Sequence, residues 1–235
     1  MPPKSASLGT EEVLQRMYAL ANPANVKGMA RFGINPKDAL GVSVEALRKL
    51  AKEAGKSHAL ATQLWDSGVH EARILAALVD LPQEVTEAQM ERWAAGFDSW
   101  DVCDQVCANL FDKTPSAYQK AAEWSARREE FVRRAAFALM AALAWHDKKA
   151  DDARFLPFLP LIQQAATDDR PYVRKAVNWA LRQIGKRNAN LNVHAIAVAR
   201  EVQALDSRAA RWIAADALRE LTSPKVQQRL VAKGL

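Results

Sequence analysis

The sequence predicts an all-α fold in which pairs of helices stack into a solenoid. Three observations lead to this prediction: an excess of alanine, apolar residues at helical spacing, and an internal repeat. The 235 residues include 45 Ala but only 9 Gly and 10 Pro, so the best helix former is abundant and turn residues are scarce. With 49% hydrophobic and 26% charged residues, the composition is typical of a globular protein and not of a disordered one.

Apolar residues recur every three or four positions over most of the chain. One stripe runs from Val132 to Leu143 and another from Val173 to Ile184, as expected of helices with one buried face. Thr86 to Gln89 has the composition of a capping box. No stretch alternates as a strand would, so about a dozen or more helices joined by short loops are expected. Single Pro and Gly residues mark the predicted helix ends or first turns: Pro23, Gly33, Gly55, Gly68, Pro82, Gly96, Pro115, Pro171, Gly185 and Pro224.

A repeat with a period near 40 residues is visible in the second half of the chain. Val132–Ala136 recurs as Val173–Val177, and Trp179–Leu181 is echoed by Asp216–Leu218. Two helices in about 40 residues are typical of HEAT or armadillo-type arrays. The sequence therefore predicts a single HEAT-like repeat domain over residues 1–235, with residues 1–7 disordered. Successive second helices, which carry Arg, Lys and Trp, would form a concave basic groove suited to duplex DNA.

Positive charge is concentrated at the C-terminal end of the chain. The formal net charge is +6, yet residues 170–235 hold 13 basic and 4 acidic residues, while residues 1–169 hold 20 and 23. This asymmetry favours a polyanionic partner, with nucleic acid first and an anionic membrane surface second. The alternative from charge alone is a solvated basic face that serves solubility.

The sequence lacks the features of several other classes of protein. The longest apolar run, Ala135–Trp145, has 11 residues and is too short to span a bilayer, and the first residues lack the apolar segment of a signal peptide. Cys103 and Cys107 do not make a disulfide framework, so a reducing cytoplasm is the expected location. The glycines are single and the four histidines are scattered, so we expect no phosphate-binding loop, no metal site and no cofactor.

The stretch from Ser99 to Cys107 is the richest candidate for chemistry. In a helix, Trp100 and Asp104 lie one turn apart on one face, so that an indole stands beside a carboxylate. Such a pair could stabilise a developing cation. The alternative is that Trp100 packs in the core and that Asp101 or Asp104 interacts with the positive end of the helix.

Trp179 and Arg182 form a second pair of this kind, and Arg134 occupies the matching helix one repeat earlier. The alternative is that Trp179 joins neighbouring repeats and that the arginines extend into solvent. The five remaining tryptophans need no functional explanation: Trp65, Trp93, Trp124, Trp145 and Trp212.

Three segments, taken in order, resemble the HEAT-like-repeat DNA alkylation repair enzymes, the AlkD-type DNA glycosylases. Trp100–Asp104 is similar to the family's Trp-Asp-x-x-Asp motif. Phe131–Ala136 resembles the helix that bears its first phosphate-binding arginine, and Val173–Arg182 resembles its Lys-Ala-x-x-Trp-x-x-Arg helix. With the repeats around them, the resemblance covers roughly residues 29–221. The chain departs from the family pattern between Asn35 and Val44.

The resemblance implies a role for five residues, all of which this chain retains. Asp104 would be the catalytic carboxylate, and Trp100 and Trp179 would form the walls around the damaged nucleotide. Arg134 and Arg182 would hold the phosphates on either side.

The basic neighbours in the same two segments, Arg133, Arg174 and Lys175, are also predicted to contact DNA. The implied activity is the release of positively charged N3- and N7-alkylated purines from double-stranded DNA without metal or cofactor, by a monomer that binds no membrane. The family is known to leave the lesion in the base stack, whereas most glycosylases turn the base out.

Elementary chemistry agrees with this activity. A purine alkylated at N3 or N7 is cationic and already a good leaving group, so the bond to the sugar breaks with oxocarbenium character. A fixed carboxylate opposes the developing charge, and indole faces attract the cationic base. Two alternatives remain: a catalytically silent protein of this fold that binds DNA structures, and a HEAT scaffold for protein partners. Salt-dependent DNA binding would separate the scaffold from the other two.

Overall fold

The computed structural model describes residues 8–233, and within them the chain forms fourteen α-helices and no strand. The all-α prediction is confirmed. The helices divide into two compact units, which meet in sequence at Thr114 and Pro115. The single-domain assignment for residues 1–235 stays a prediction, and the disorder predicted for residues 1–7 lies outside the described residues. None of the helices described is both long and apolar enough to traverse a bilayer.

The first unit holds seven of the described α-helices. They are α1 (Thr10–Ala19), α2 (Pro23–Met29), α3 (Val44–Ala54), α4 (His58–Asp66), α5 (His70–Val79), α6 (Glu87–Ala95) and α7 (Trp100–Asn109). Several begin at a side-chain cap, because Ser43, Ser57 and Thr86 each accept a bond from a backbone amide of the first turn. Only half of the predicted capping box forms, since the Gln89 amide donates to Asp80 at 2.8 Å.

Helices α3, α5 and α7 pack side by side in the first unit, and α4 packs on α5. An aromatic cluster supports this layer. The rings of Trp65 and Trp93 are stacked with centroids 4.3 Å apart, and Phe111 lies 6.1 Å from Trp93. Trp65 and Trp93 are buried, so packing accounts for both.

The second unit holds the other seven described α-helices. They are α8 (Ala117–Trp124), α9 (Glu130–His146), α10 (Phe158–Ala165), α11 (Pro171–Gly185), α12 (Ala189–Gln203), α13 (Arg208–Leu221) and α14 (Pro224–Lys233). Helices α8 and α9, α10 and α11, and α12 and α13 pack as pairs, and the second helices α9, α11 and α13 follow one another in contact. The predicted repeat is therefore an array of helix pairs.

Polar contacts between the second helices keep the period of the repeat. The Asn178 amide of α11 donates to Asp216 of α13 at 2.7 Å, and the Arg182 guanidinium of α11 lies 2.6 Å from Glu220 of α13. Each pair joins residues 38 positions apart. The apolar stripes from Val132 to Leu143 and from Val173 to Ile184 are buried.

Gly185 ends α11 where three helices approach closely. A Cβ atom at this position would lie 2.7 Å from a methyl carbon of Leu221 in α13 and 2.8 Å from the Cβ atom of Ala195 in α12. The residue is fully packed rather than a flexible joint. The predicted helix end at Gly185 is confirmed. The lack of space for a side chain explains why this residue is glycine.

Candidate catalytic site and nucleic-acid interface

Trp100 and Asp104 lie one turn apart on α7, and both are partly exposed. The opposite side of α7 is buried, including Val102, Cys103 and Val106. The Trp100 indole N–H donates to the backbone carbonyl of Phe32 at 3.0 Å, which fixes the plane of the ring. The exposure of Trp100 fits the functional interpretation and not the alternative in which Trp100 packs in the core.

Asp101, the residue next to Trp100, has a structural role, because both of its carboxylate oxygens have partners within the first unit. Its Oδ2 atom lies 2.8 Å from Nε2 of His70 on α5, and its Oδ1 atom accepts the Ser99 hydroxyl at 2.6 Å. His70 is only 3% exposed. The sequence offered an interaction of Asp101 with the positive end of the helix as one alternative. Asp101 does lie in the first turn of α7, and its contacts also anchor the start of α7 to α5.

The two members of this pair change their proton affinities in opposite directions. Burial favours the neutral imidazole, but the hydrogen bond and charge of Asp101, together with Glu71 and Asp98, outweigh burial and raise the pKa of His70 above its ordinary value of 6.5. Burial also acts against the Asp101 carboxylate, yet His70 and Ser99 lower the pKa of Asp101 below its ordinary value of 3.8. The pair is therefore an imidazolium beside a carboxylate over a wide range of pH.

A pH dependence of stability follows from these shifts. His70 contributes to the free energy of unfolding in full below its unfolded pKa, and this contribution is lost as the pH rises through its raised folded pKa. Asp101 contributes in full above its unfolded pKa, and its contribution is lost as the pH falls through its lowered folded pKa. We expect wild-type protein to exceed His70→Gln in free energy of unfolding most strongly at about pH 5–6 and least above about pH 8. Denaturant unfolding at both pH values measures this. Equal differences at the two values would contradict the ion pair, and Asp101→Asn should repeat the behaviour of His70→Gln.

Glu71, the next residue on α5, holds the connection between the short 3₁₀ helix Ala30–Phe32 and α3. Its buried carboxylate accepts bonds from the backbone amides of Leu40 at 2.8 Å, Gly41 at 2.6 Å and Val42 at 3.2 Å. Charge-assisted bonds of this kind are the strong ones. This is the part of the chain that departs from the family pattern, and here it is a firmly held segment.

Gly41 is required by the geometry of that segment. Its φ of +75° lies in the left-handed region, and a Cβ atom would lie 2.2 Å from the carbonyl oxygen of Asn22. At the other end of the segment, the backbone amide of Asn35 donates to the Ser99 hydroxyl at 3.2 Å. The segment thus joins the start of α5 to the start of α7 and supports the position of Trp100.

Arg133 and Arg134 lie on α9 in the second unit. Arg134 is only 6% exposed, and its guanidinium donates to the backbone carbonyl of Tyr172 at 2.6 Å. Arg133 is partly exposed and forms an ion pair with Asp168 at 3.0 Å. Both side chains help to join α9 to the following repeat. Their predicted contacts with DNA phosphates stay predictions.

The candidate residues on α11 are more exposed than Arg134 on α9. Lys175 is exposed, and Trp179 is partly exposed, as the hypothesis of a cleft requires. Arg174 lies over the ring of Trp212, 4.7 Å from its centroid. Arg182 pairs with Glu220 and Asp216, at 2.6 and 3.5 Å. Part of the positive charge counted in the sequence is thus neutralised within the second unit.

Two of the five tryptophans for which the sequence required no functional explanation are exposed. Trp124 is fully buried, but Trp145 is 56% exposed and Trp212 is 40% exposed. Trp145 and Trp212 are therefore not core residues. Trp145 lies at the end of α9, just beyond its last buried residue, and Trp212 lies outside the apolar stripe of α13.

Metal ligands are not grouped among residues 8–233, where no cluster of three or more His, Cys, Asp or Glu side chains could hold an ion. Cys103 and Cys107 are buried free thiols. Burial, followed by the hydrogen bond with Cys103 and the charges of Asp104 and Asp112, raises the pKa of the Cys107 thiol well above its ordinary value of 9.0. Both cysteines act as small core residues of α7.

Comparison with known proteins places this chain in a family. Residues 13–221 match the family described as DNA alkylation repair enzyme, which spans α1 to α13. The chain belongs to the DNA alkylation repair enzyme family. All five residues implied by the resemblance lie within the matched region.

Two known proteins are similar to this chain, one in sequence and one in structure. The chain is 28% identical over 112 residues to an uncharacterized protein, Lin0241, of Listeria innocua serovar 6a (strain ATCC BAA-680 / CLIP 11262), which covers 46% of this chain and 50% of that protein. The chain thus spans about half the length of this curated relative. A solved structure is similar at a TM-score of 0.77 and 19% identity, covering 95% of this chain and 96% of the other. It is described as a new family related to the HEAT-like repeat DNA glycosylases with affinity for branched DNA structures. At this identity the likeness establishes the HEAT-like repeat fold.

Proposed function

We propose that this protein is a DNA glycosylase that releases positively charged N3- and N7-alkylated purines from duplex DNA. The observation that carries the proposal is the arrangement on α7. Trp100 and Asp104 share a partly exposed face, while the adjacent Asp101 is held by His70 and Ser99. An indole of fixed orientation and a carboxylate one turn away suit a reaction that develops positive charge on a sugar.

In the proposed reaction, Asp104 opposes the charge that builds on the sugar as the bond to the base breaks. The leaving purine already carries a positive charge, so it departs with the bonding electron pair as a neutral base, and no general acid is needed. Water then adds to C1′ of the sugar and loses a proton to solvent, which leaves an abasic site. Trp100 offers an aromatic face to the cationic base, an interaction worth roughly 0.5–2 kcal/mol. Trp179, a partly exposed indole of the second unit, keeps in this proposal the role that the family resemblance implies for it.

The basic residues of the second unit would contact phosphates without reading sequence. Lys175, Arg174 and Arg182 have the exposure for this role. Arg134 would have to exchange its bond to the Tyr172 carbonyl for a phosphate. We retain Arg134 in the proposal as a residue that changes partner when DNA binds.

The direct test is base release. Purified protein is incubated with a duplex containing N7-methylguanine in the presence of a chelator, and free base is measured under single-turnover conditions. Release is expected. Salt-dependent binding of the duplex without release would instead support a catalytically silent DNA-structure binder, in line with the affinity for branched DNA described for the structurally similar protein. No binding would support the protein scaffold.

Replacement of Trp100 separates function from packing. Trp100→Ala is expected to slow base release per folded molecule while lowering the free energy of unfolding by less than the roughly 3–5 kcal/mol of a fully buried tryptophan, because the indole is partly exposed. The matched variant Trp93→Ala removes a fully buried ring of the same size and should cost about 3–5 kcal/mol with a normal rate per folded molecule. Denaturation midpoints and excision rates measure both. The reverse pattern would return Trp100 to the core.

A further inference from the structure

A cavity of about 700 Å³ lies at the C-terminal ends of α9 and α11 in the second unit. Its size is within the usual range of ligand-binding pockets. Five basic side chains and two carboxylates line it, so the cavity is cationic. The basic side chains are Lys148, Lys149, Lys186, Arg187 and Arg229.

Two of these cations serve the fold, and three are exposed. Lys186 is paired with Glu220 at 2.7 Å, and Arg187 donates to two backbone carbonyls. The exposed cations are Lys148, Lys149 and Arg229. Of these three, Arg229 also donates to the backbone carbonyl of Lys186 at 3.3 Å, which holds its guanidinium at the cavity.

The two carboxylates of the cavity do not cancel this charge. Asp152 accepts bonds from the side-chain amides of Asn188 and Asn190, at 2.6 and 2.7 Å. Asp151 is exposed and is the second acidic residue of the lining. The exposed cations therefore outnumber the exposed carboxylate.

The loop that carries the lysines is held in place. Arg187 binds the carbonyl of Ala144 at 3.3 Å and that of Ala150 at 2.5 Å, and so fastens both ends of the loop between them. The bond from Asn188 to Asp152 adds a further tie just beyond Ala150. A fixed loop presents its charges without the cost of ordering them on binding.

Trp145 gives this cavity an aromatic face. It lines the cavity and is 56% exposed, although tryptophan is usually well buried. The Lys148 ammonium lies 5.1 Å from the centroid of its ring. An exposed indole among lysines is the combination that binds single-stranded nucleic acid, in which bases stack on the ring and phosphates meet the cations.

We propose that this cavity binds one unpaired nucleotide of a DNA strand. The base stacks on Trp145, and the flanking phosphates lie against Lys148, Lys149 and Arg229. A base inside an intact duplex has both faces covered by its neighbours, so the indole selects a nucleotide freed by a frayed end, a gap or a flap. The inference rests on the proposed function only in that the protein acts on DNA, since Trp145 takes no part in base release.

The first test measures the affinity for a labelled oligothymidylate of about ten nucleotides and for an abasic strand of the same length. Trp145→Ala should bind oligothymidylate about tenfold more weakly than wild type and should bind the abasic strand equally well. The matched control is Tyr18→Ala, which removes an aromatic ring that is 53% exposed on α1 in the first unit and should leave both affinities unchanged.

The second test concerns the phosphates. Lys149→Glu should weaken binding of both strands and lower the slope of log affinity against log salt by roughly 0.7 for each phosphate that the variant no longer neutralises. Arg200→Glu makes the same charge change at an exposed position of α12 outside the cavity and should have a smaller effect on both strands.

Three results would overturn the inference: no binding of oligothymidylate by wild type, wild-type affinity in Trp145→Ala, or equal wild-type affinity for the abasic strand. The last of these would reduce the cavity to a site for anions alone. Failure of the proposed function looks different. In that case no base is released from methylated duplex, while the dependence of oligothymidylate binding on Trp145 persists.

Discussion

Asp104→Asn is expected to lower the single-turnover rate of N7-methylguanine release by about 10²–10³ while leaving the affinity for the methylated duplex unchanged. The carboxylate acts only when positive charge develops on the sugar, so its loss affects the transition state and not the bound ground state. The change is nearly isosteric, and Asp104 is partly exposed on α7, so folding should be preserved. Rapid-quench excision together with equilibrium binding measures both quantities.

Two variants control for this result. Asp66→Asn removes an exposed carboxylate at the end of α4, which contacts Arg92 at 2.8 Å, and should release base at the wild-type rate. Asp101→Asn removes the partner of His70, so it should lose stability and retain most of its activity per folded molecule. Excision at the wild-type rate by Asp104→Asn would remove this carboxylate from the mechanism.

Glu71→Ala is expected to lower the free energy of unfolding by about 3–5 kcal/mol. The backbone amides of Leu40, Gly41 and Val42 would lose their acceptor, and each buried amide left unpaired costs roughly 1–3 kcal/mol. Chemical denaturation followed by tryptophan fluorescence measures the loss. The effect on base release per folded molecule should be smaller than that of Asp104→Asn, because Glu71 does not touch the exposed face of α7.

Two further variants test the loss of stability expected for Glu71→Ala. Glu71→Gln keeps one carbonyl oxygen but turns an amide donor toward another donor, so its stability should fall between those of wild type and Glu71→Ala. Glu45→Ala, at an exposed position of α3, should leave the denaturation midpoint nearly unchanged. A loss below about 1 kcal/mol in Glu71→Ala would show that water or a rearranged loop satisfies the three amides.

The helices and their period could be predicted because they depend on local patterns. Alanine-rich stripes such as Val173–Ile184 specify both a helix and its buried face, and the recurrence of Val132–Ala136 gives the repeat. The hydrogen bonds that join Glu71 to Gly41 and Asp101 to His70 could not be predicted in this way. Those partners are 30 and 31 residues apart and meet only because α5, α7 and the preceding loop pack together.

The charge count illustrates a second difference between sequence and structure. The excess of basic residues from Arg170 onwards is evident in the sequence, but ion pairs use part of the positive charge: Arg182 with Glu220, and Arg170 with Asp168. The repeat period already indicates the pair of Arg182 with Glu220, because opposite charges 38 residues apart occupy equivalent positions on adjacent second helices. The exposure of Trp145 also followed from its position at the end of the apolar stripe of α9.

The burial of Cys103 and Cys107 has a consequence for chemical durability. A family that repairs alkylated DNA works where electrophiles are present, and thiolates are among the nucleophiles that such agents attack most readily. The two sulfur atoms of residues 8–233 that could become thiolates lie on α7, on either side of Asp104, in the solvent-free interior. With the pKa of Cys107 raised, its sulfur stays protonated and unreactive. The helix that carries the proposed catalytic carboxylate is thereby shielded from the agents that create the damage.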